Sequence, residues 1–340
     1  MSATIICLLP ADAFKYFQTL SCQMPIESVY RLGTKCTSTQ EMLKIYQGSL
    51  LTFTQAEINA LQWYVNMLSK IVLEKAPRFF TPIWKFIKLK KNIDWNFPYT
   101  IGDAIVLPEV ILDEMVQTRC NKNPTNSLSG MEGPNITNNV YANRTINHIK
   151  ILFHEYVHIY QRHNQDIFNR FYTDFWNFTP INPSQLKKSS IYENKITNPD
   201  SISCIEWVIS IIRPGTNKVT EWYYPMMYLN PITKSHQGIL IPLDQVQNTC
   251  TGKFDYYMKN NYELIDNVRE YKNKFYGLQR QLYDVNEIMA NILTDYVIAN
   301  IEYTNPSFSS NGFYTALRPF IGAITNVPHT CLRQIGCNAC

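Results

Sequence analysis

The segment richest in reactive side chains is Leu152-Phe153-His154-Glu155-Tyr156-Val157-His158-Ile159-Tyr160-Gln161-Arg162. Two histidines four apart on a helix project from one face, so both rings can reach a single zinc ion. A glutamate directly after the first histidine lies beside such an ion, where it can take a proton from a bound water. The bare pattern is common by chance. Here apolar neighbours fit a buried helix, and carboxylates follow downstream. The competing reading is an amphipathic helix whose histidines are satisfied core residues.

A catalytic zinc needs a third protein ligand, with water in the fourth place. A glycine three residues after the second histidine and a histidine six residues after it would be one solution. Gln161 and Asn164 stand there and exclude it. His163 lies about 500° around the helix from His158 and points elsewhere. The better candidate is Glu287 in Val285-Asn286-Glu287-Ile288-Met289-Ala290-Asn291. A glutamate on a second helix can face the first, and Ala290 is small enough to let the two approach. Asn291, one turn on, could accept a hydrogen bond from a zinc-bound histidine and orient it. The alternative for Glu287 is a capping box, Asp284-x-x-Glu287, that starts a helix. Glu302, Glu193 and Glu206 are weaker substitutes.

Taken together, His-Glu-Tyr-Val-His and Asn-Glu-Ile-Met-Ala resemble the gluzincin branch of zinc metallopeptidases. The run from His154 to Arg162 is also similar to zincin-like proteins of large cytoplasmic DNA viruses and some microbial eukaryotes. The resemblance covers two short helices and the strand before them. It implies a zincin-like α+β fold, mainly helical, with a small N-lobe sheet and a helical C-terminal lobe. It further implies one catalytic Zn2+ on His154, His158 and Glu287, Glu155 as general base, and a peptide or protein substrate. An edge strand along which an extended peptide pairs is implied too, with Thr100–Leu107 the candidate. Tyr283, Tyr223, Tyr224 and His236 all qualify as the donor to a developing oxyanion. The long gap from His158 to Glu287 requires an inserted subdomain, and Asn291 stands where several gluzincins carry Asp. The rival readings are a zincin-fold structural or interaction protein without catalysis, such as a virion component, and a zinc enzyme acting on a non-peptide amide. An intact Glu155 favours an enzyme, since a scaffold needs no general base.

These residues need elements to hold them. Thr54-x-x-Glu57 has capping-box form, and Ile58, Leu61, Val65, Leu68 and Val72 recur at helical spacing until Pro77. Tyr99–Pro108 reads as a strand or hairpin edge, and 120–139 as a surface loop. One long helix is expected from about Thr145 to Phe171, its apolar stripe formed by Ile146, Ile149, Phe153, Val157 and Tyr160. Residues 204–243 look mixed and partly β, with a turn at 213–216. Helices should return from about Tyr256, the last strong one running from Asp284 to about Ile301. A soft boundary near Asn177 divides an N-terminal lobe, 1–176, with the edge strand and the histidine helix, from a C-terminal lobe, 177–340, with the inserted region and the Glu287 helix.

Bulk properties narrow the class. The 340 residues can bury a large core, mean hydropathy is -0.21 and net charge only +4, so nothing points to a nucleic-acid partner. The mixed run Lys85–Lys91 reads as an amphipathic helix or strand. No stretch approaches the ~20 apolar residues of a membrane span. Ile5–Leu9 is too short, and too soon interrupted by Pro10 and Asp12, for a signal peptide. A cytoplasmic, unsecreted protein is expected, in host cytoplasm or virion if viral, with nine mostly reduced cysteines. His329, Cys331, Cys337 and Cys340 fit no standard zinc knuckle, and Cys337 makes a poor prenylation site.

Overall fold

The computed structural model describes residues 3–19, 31–120, 140–198, 200, 205–213, 220–233, 235–275, 278, 281–299 and 320. Residues 121–139 of the expected loop, the turn at 214–216, Glu302 and the C-terminal histidine and cysteines lie outside them.

The first half builds one sheet and its helices: β1 (Thr4–Cys7), α1 (Pro10–Phe17), α2 (Thr39–Ser49), β2 (Leu50–Leu51), α3 (Gln55–Lys75), β3 (Ile83–Leu89), β4 (Tyr99–Ile101), β5 (Ala104–Pro108) and α4 (Glu109–Cys120). The strand order is β1-β3-β5-β4, with β2 also on β3. The pairs β1–β3 and β3–β5 are parallel; β4 runs back antiparallel on β5 through the turn at Gly102 and Asp103. Thr54 caps α3 as its sequence predicts, accepting from Glu57 N at 3.3 Å while Glu57 Oε2 accepts from Thr54 N at 2.7 Å. The basic run proves to be strand β3; its Lys88 is buried against Glu57 at 2.8 Å.

The expected long helix is two. The first, α5 (Val140–His163), breaks at Asn164, whose side chain donates to Tyr160 O at 2.8 Å, and α6 (Gln165–Trp176) follows. Asn177 closes α6 in the left-handed conformation, φ 57°, which Asn tolerates better than most residues. Ile149, Phe153 and Val157 are buried along α5, with Ile146 and Tyr160 partly so, as the stripe requires.

The second half corrects the expected fold class. The C-terminal lobe is not helical, and the chain does not match a mainly helical zincin-like fold. Between the histidine helix and the Glu287 helix lies a seven-stranded sheet: β6 (Phe178–Ile181), β7 (Leu186–Lys187), β8 (Glu206–Ile212), β9 (Thr220–Leu229), β10 (His236–Gln247), β11 (Phe254–Met258) and β12 (Glu263–Leu264). Its order is β6-β8-β9-β10-β11-β7, with β12 on β10, and it is antiparallel except where β11 meets β7. The residues explain it. Trp222, Tyr223, Tyr224, Ile239, Leu240 and Ile241 are aromatic or aliphatic residues that suit a pleated, half-buried surface. From Tyr256 the chain stays in strand, and only the six-residue α7 (Arg269–Lys274) precedes α8 (Val285–Ala299).

Helix α8 is buried on every side, from Val285 through Asp295 without a break, which marks a helix surrounded by protein. It packs on α5 and α3, and Ala290 is fully buried in the core they share. That core draws on both sides of Asn177, from Ala3 through Trp176 to Val297. Among the described residues no helix is long and apolar enough to cross a membrane. None of the four described cysteines, Cys7, Cys36, Cys120 and Cys250, is in a disulfide.

Candidate metal centre

Because α5 and α8 lie against each other, His154, His158 and Glu287 converge. One donor atom from each lies within 4.8 Å of the other two. His154 Nε2 is 3.1 Å from His158 Nε2 and 3.1 Å from Glu287 Oε2, and His158 Nε2 is 3.4 Å from Glu287 Oε1. Three ligand atoms of a tetrahedral zinc, each about 2.0–2.1 Å from the ion, stand about 3.3–3.4 Å apart. The two ring nitrogens and the Glu287 carboxylate, met through one oxygen by each ring, are spaced close to those values. The orientation of His158 also fits: Nδ1 sits 2.8 Å from Gln161 Oε1, an acceptor, so Nδ1 carries a hydrogen and Nε2 is the atom turned to His154 and Glu287. The Glu287 carboxylate in this cluster is answered by a hydrogen on a ring nitrogen or by a metal.

The electrostatics carry the same demand. Burial opposes a charged imidazole at His158, yet the Glu287 and Asp200 carboxylates outweigh it and raise the ring to about 10. Burial would likewise raise Glu287, but His158 and His154 hold it well below the usual carboxylate range. Glu155 is pushed well above that range by burial first and by the Asp200 charge next. Its Oε2 is buried without a hydrogen-bond partner among the described residues. Glu155, His158 and Asp200 form a second close trio, within 4.8 Å. His154, with 15% of its side chain exposed, is the donor that water reaches; His158 and Glu287 are closed off at 0% and 3%.

The other expected residues fall out clearly. Glu287 is not half of a capping box: Asp284 Oδ1 accepts from Asn286 N at 2.8 Å, while the Glu287 carboxylate turns to the histidines and to Asn198 Nδ2, 2.8 Å away. Asn291 does not serve as the outer partner of a histidine. It donates to Gln281 Oε1 at 2.6 Å and to Glu287 O at 2.9 Å. Glu206 pairs with Lys195, Glu193 is exposed, and His163 is turned to Ile159 O. Of the four oxyanion donors, Tyr223 is bonded to Glu221 and Arg213, Tyr224 to Glu206, and His236 stacks on Trp95. Tyr283 alone neighbours the centre; burial raises its phenol well up, and the charges of Glu287, Asp284 and Asp200 add to that.

The expected substrate edge is occupied. Strand β5 is interior, and although β4 is the outer strand, Thr100 N donates to Asp200 Oδ1 at 2.7 Å. Arg162, one turn beyond His158, donates to Thr100 Oγ1 at 2.6 Å and to Gly102 O at 2.9 Å. Sequence reasoning missed Asn198, Asp200 and the role of Gln161. Gln161 at three residues from His158 was readable as a helical neighbour; the other two arrive from a remote loop and carry no local signal. Compared with family models, curated proteins and solved structures, the chain matches none.

Proposed function

We propose that this protein is a zinc-dependent metallopeptidase of gluzincin-like chemistry, its metal held by His154, His158 and Glu287. The observation that carries the reading is the cluster of His154 Nε2, His158 Nε2 and the two Glu287 carboxylate oxygens, with contacts of 3.1–3.4 Å, beside Glu155, whose Oε2 has no hydrogen-bond partner among the described residues. Zinc bound there would bring the pKa of a water toward neutrality and polarise a peptide carbonyl. Glu155 accepts the proton that the water loses as its oxygen bonds to the carbonyl carbon. When the C–N bond breaks, Glu155 returns that proton to the amine nitrogen. Substrate approaches from the side of His154, whose side chain is 15% exposed.

The test is a pair of variants. His158→Ala should lose stoichiometric zinc, measured by elemental analysis. Glu155→Gln keeps the side chain's size and should keep its zinc, but lose peptide cleavage by about 10²–10⁴-fold in a peptide-library digest. Wild type that takes up no zinc overturns the reading at its base. Wild type with full zinc and a digest identical to that of Glu155→Gln overturns the catalytic half and leaves a zinc-holding structural protein.

A further inference from the structure

The orientation of one buried amide decides how His158 presents itself. Gln161 Nε2 is 3.0 Å from the backbone carbonyl of Asn286 and 3.0 Å from Tyr172 Oη. A backbone carbonyl can only accept, so the amide nitrogen must face it and the amide oxygen must face His158. Tyr172 Oη accepts from Gln161 and so gives its own hydrogen to Asn286 Oδ1, at 3.1 Å. Every donor therefore points the same way, from His158 Nδ1 through Gln161 and Tyr172 to Asn286. All four residues are buried, none more than 2% exposed. The chain of bonds starts on one member of the donor triangle and ends one residue before another, Glu287.

We infer that Gln161 and Tyr172 are positioning residues that hold a hydrogen on His158 Nδ1 and keep Nε2 facing His154 and Glu287 for a metal; this rests on the metal reading above. Bonds aligned in one sense polarise each other, and in a buried setting the effect is not diluted by water. The hydrogen is drawn to Nδ1, the Nε2 lone pair is enriched, and the ring is fixed in the plane that aims it at His154 and Glu287. The same bonds join α5, α6 and α8, so the spacing of the triangle depends on where α6 sits. The device is local to this chain: Gln161 is one turn from His158 on its own helix, and Tyr172 comes from the helix after the Asn164 break.

Two measurements test it, one of them free of zinc and of activity. In zinc-free protein, at a pH high enough for the ring to carry a single hydrogen, long-range proton–nitrogen NMR should show that hydrogen on His158 Nδ1, and Gln161→Met should shift the ring to a mixture or to the Nε2–H form. Zinc affinity, read by competition with a chelator, should fall about 10–100-fold in Gln161→Met. Tyr172→Phe should lose less, because the Asn286 carbonyl still holds the amide, and it carries the test if Gln161→Met does not fold. A wild-type ring carrying its hydrogen on Nε2, or zinc affinity unchanged in both variants, overturns the inference. Wild type that binds no zinc ends the metallopeptidase reading, while the NMR measurement still decides on the relay.

Discussion

Glu206 on β8 and Glu287 on α8 both take a carboxylate largely out of water, at 16% and 3% side-chain exposure. Glu206 meets a cation that the chain itself supplies. Lys195 Nζ lies 3.2 Å from it, and Tyr192 and Tyr224 donate the remaining bonds. Arg213 plays the same part for Glu221, Glu263 and Glu270 beside a groove of about 1000 Å³. The charges of that groove are already answered. Glu287 meets two imidazoles and an asparagine instead, with Glu155 and Asp200 nearby and Arg162 the one guanidinium acting on Glu155. If both rings are neutral, the positive charge felt there is that of Arg162, whose guanidinium bonds Thr100 and Gly102 and not Glu287. What separates the proposed metal centre from a structural ion pair is that, among the described residues, no lysine or arginine bonds the Glu287 carboxylate.

The largest effect expected from this contrast is on zinc. Glu287→Gln should reduce zinc from one per chain to none detectable, while Glu206→Gln should leave it unchanged. Elemental analysis of the two purified variants reads this directly. Equal zinc in both would dissolve the distinction.

The next effect is on stability, and it reverses the ranking. Lys195→Met strands Glu206 without its cation. A broken buried pair costs about 3–5 kcal/mol, and since water reaches 24% of the Lys195 side chain we expect about 2–3 kcal/mol. Replacing both partners, Lys195→Met with Glu206→Leu, should cost less than the single change. Urea unfolding measures both, and a double variant less stable than the single would show that the pair is held for another reason.

Acid sharpens the comparison further. Burial would raise Glu206, but Lys195 and the two tyrosines hold it below its ordinary value. A carboxylate depressed in the folded state contributes stability that is present above about pH 4.3 and lost as pH falls through the folded value. The stability gap between wild type and Glu206→Gln should therefore be widest near pH 6 and shrink near pH 3. A gap that stays constant across that range would mean Glu206 does not titrate with folding.

The division between what was legible and what was not follows sequence distance. Period and caps announced α3 through Thr54 and Glu57, the hairpin at 99–108, and α5 through Ile149, Phe153 and Val157. The His154–His158 pair is itself a helical spacing, and Glu287 was singled out by its place on a second helix beside the small Ala290 and by the resemblance of its run to the gluzincin pattern. The seven-stranded sheet was underread because its strands are buried and aromatic, and such runs show no clean alternation. Asn198 and Asp200 were invisible for another reason. They reach the centre by tertiary contact, Asp200 by bonding a strand one hundred positions earlier, and no local rule encodes that.

The smallest effect is reserved for Asn291, where spacing suggested an orienting role and geometry assigns another. Its amide donates to Glu287 O, four residues back on its own helix, and to Gln281 Oε1, in a turn where Gln281 has φ 53°. Those bonds tie the entry of α8 to its middle and touch neither imidazole. His158 already has its outer acceptor in Gln161, so Asn291 has no vacancy to fill there. Asn291→Ala should accordingly cost about 1 kcal/mol of stability, the typical worth of a lost hydrogen bond, and alter zinc affinity by less than about threefold. Gln161→Met should do the reverse, with the affinity loss dominant. Chelator competition on the two proteins side by side is the decisive measurement: a tenfold or greater loss in Asn291→Ala, with none in Gln161→Met, would return the orienting role to the residue that spacing first suggested.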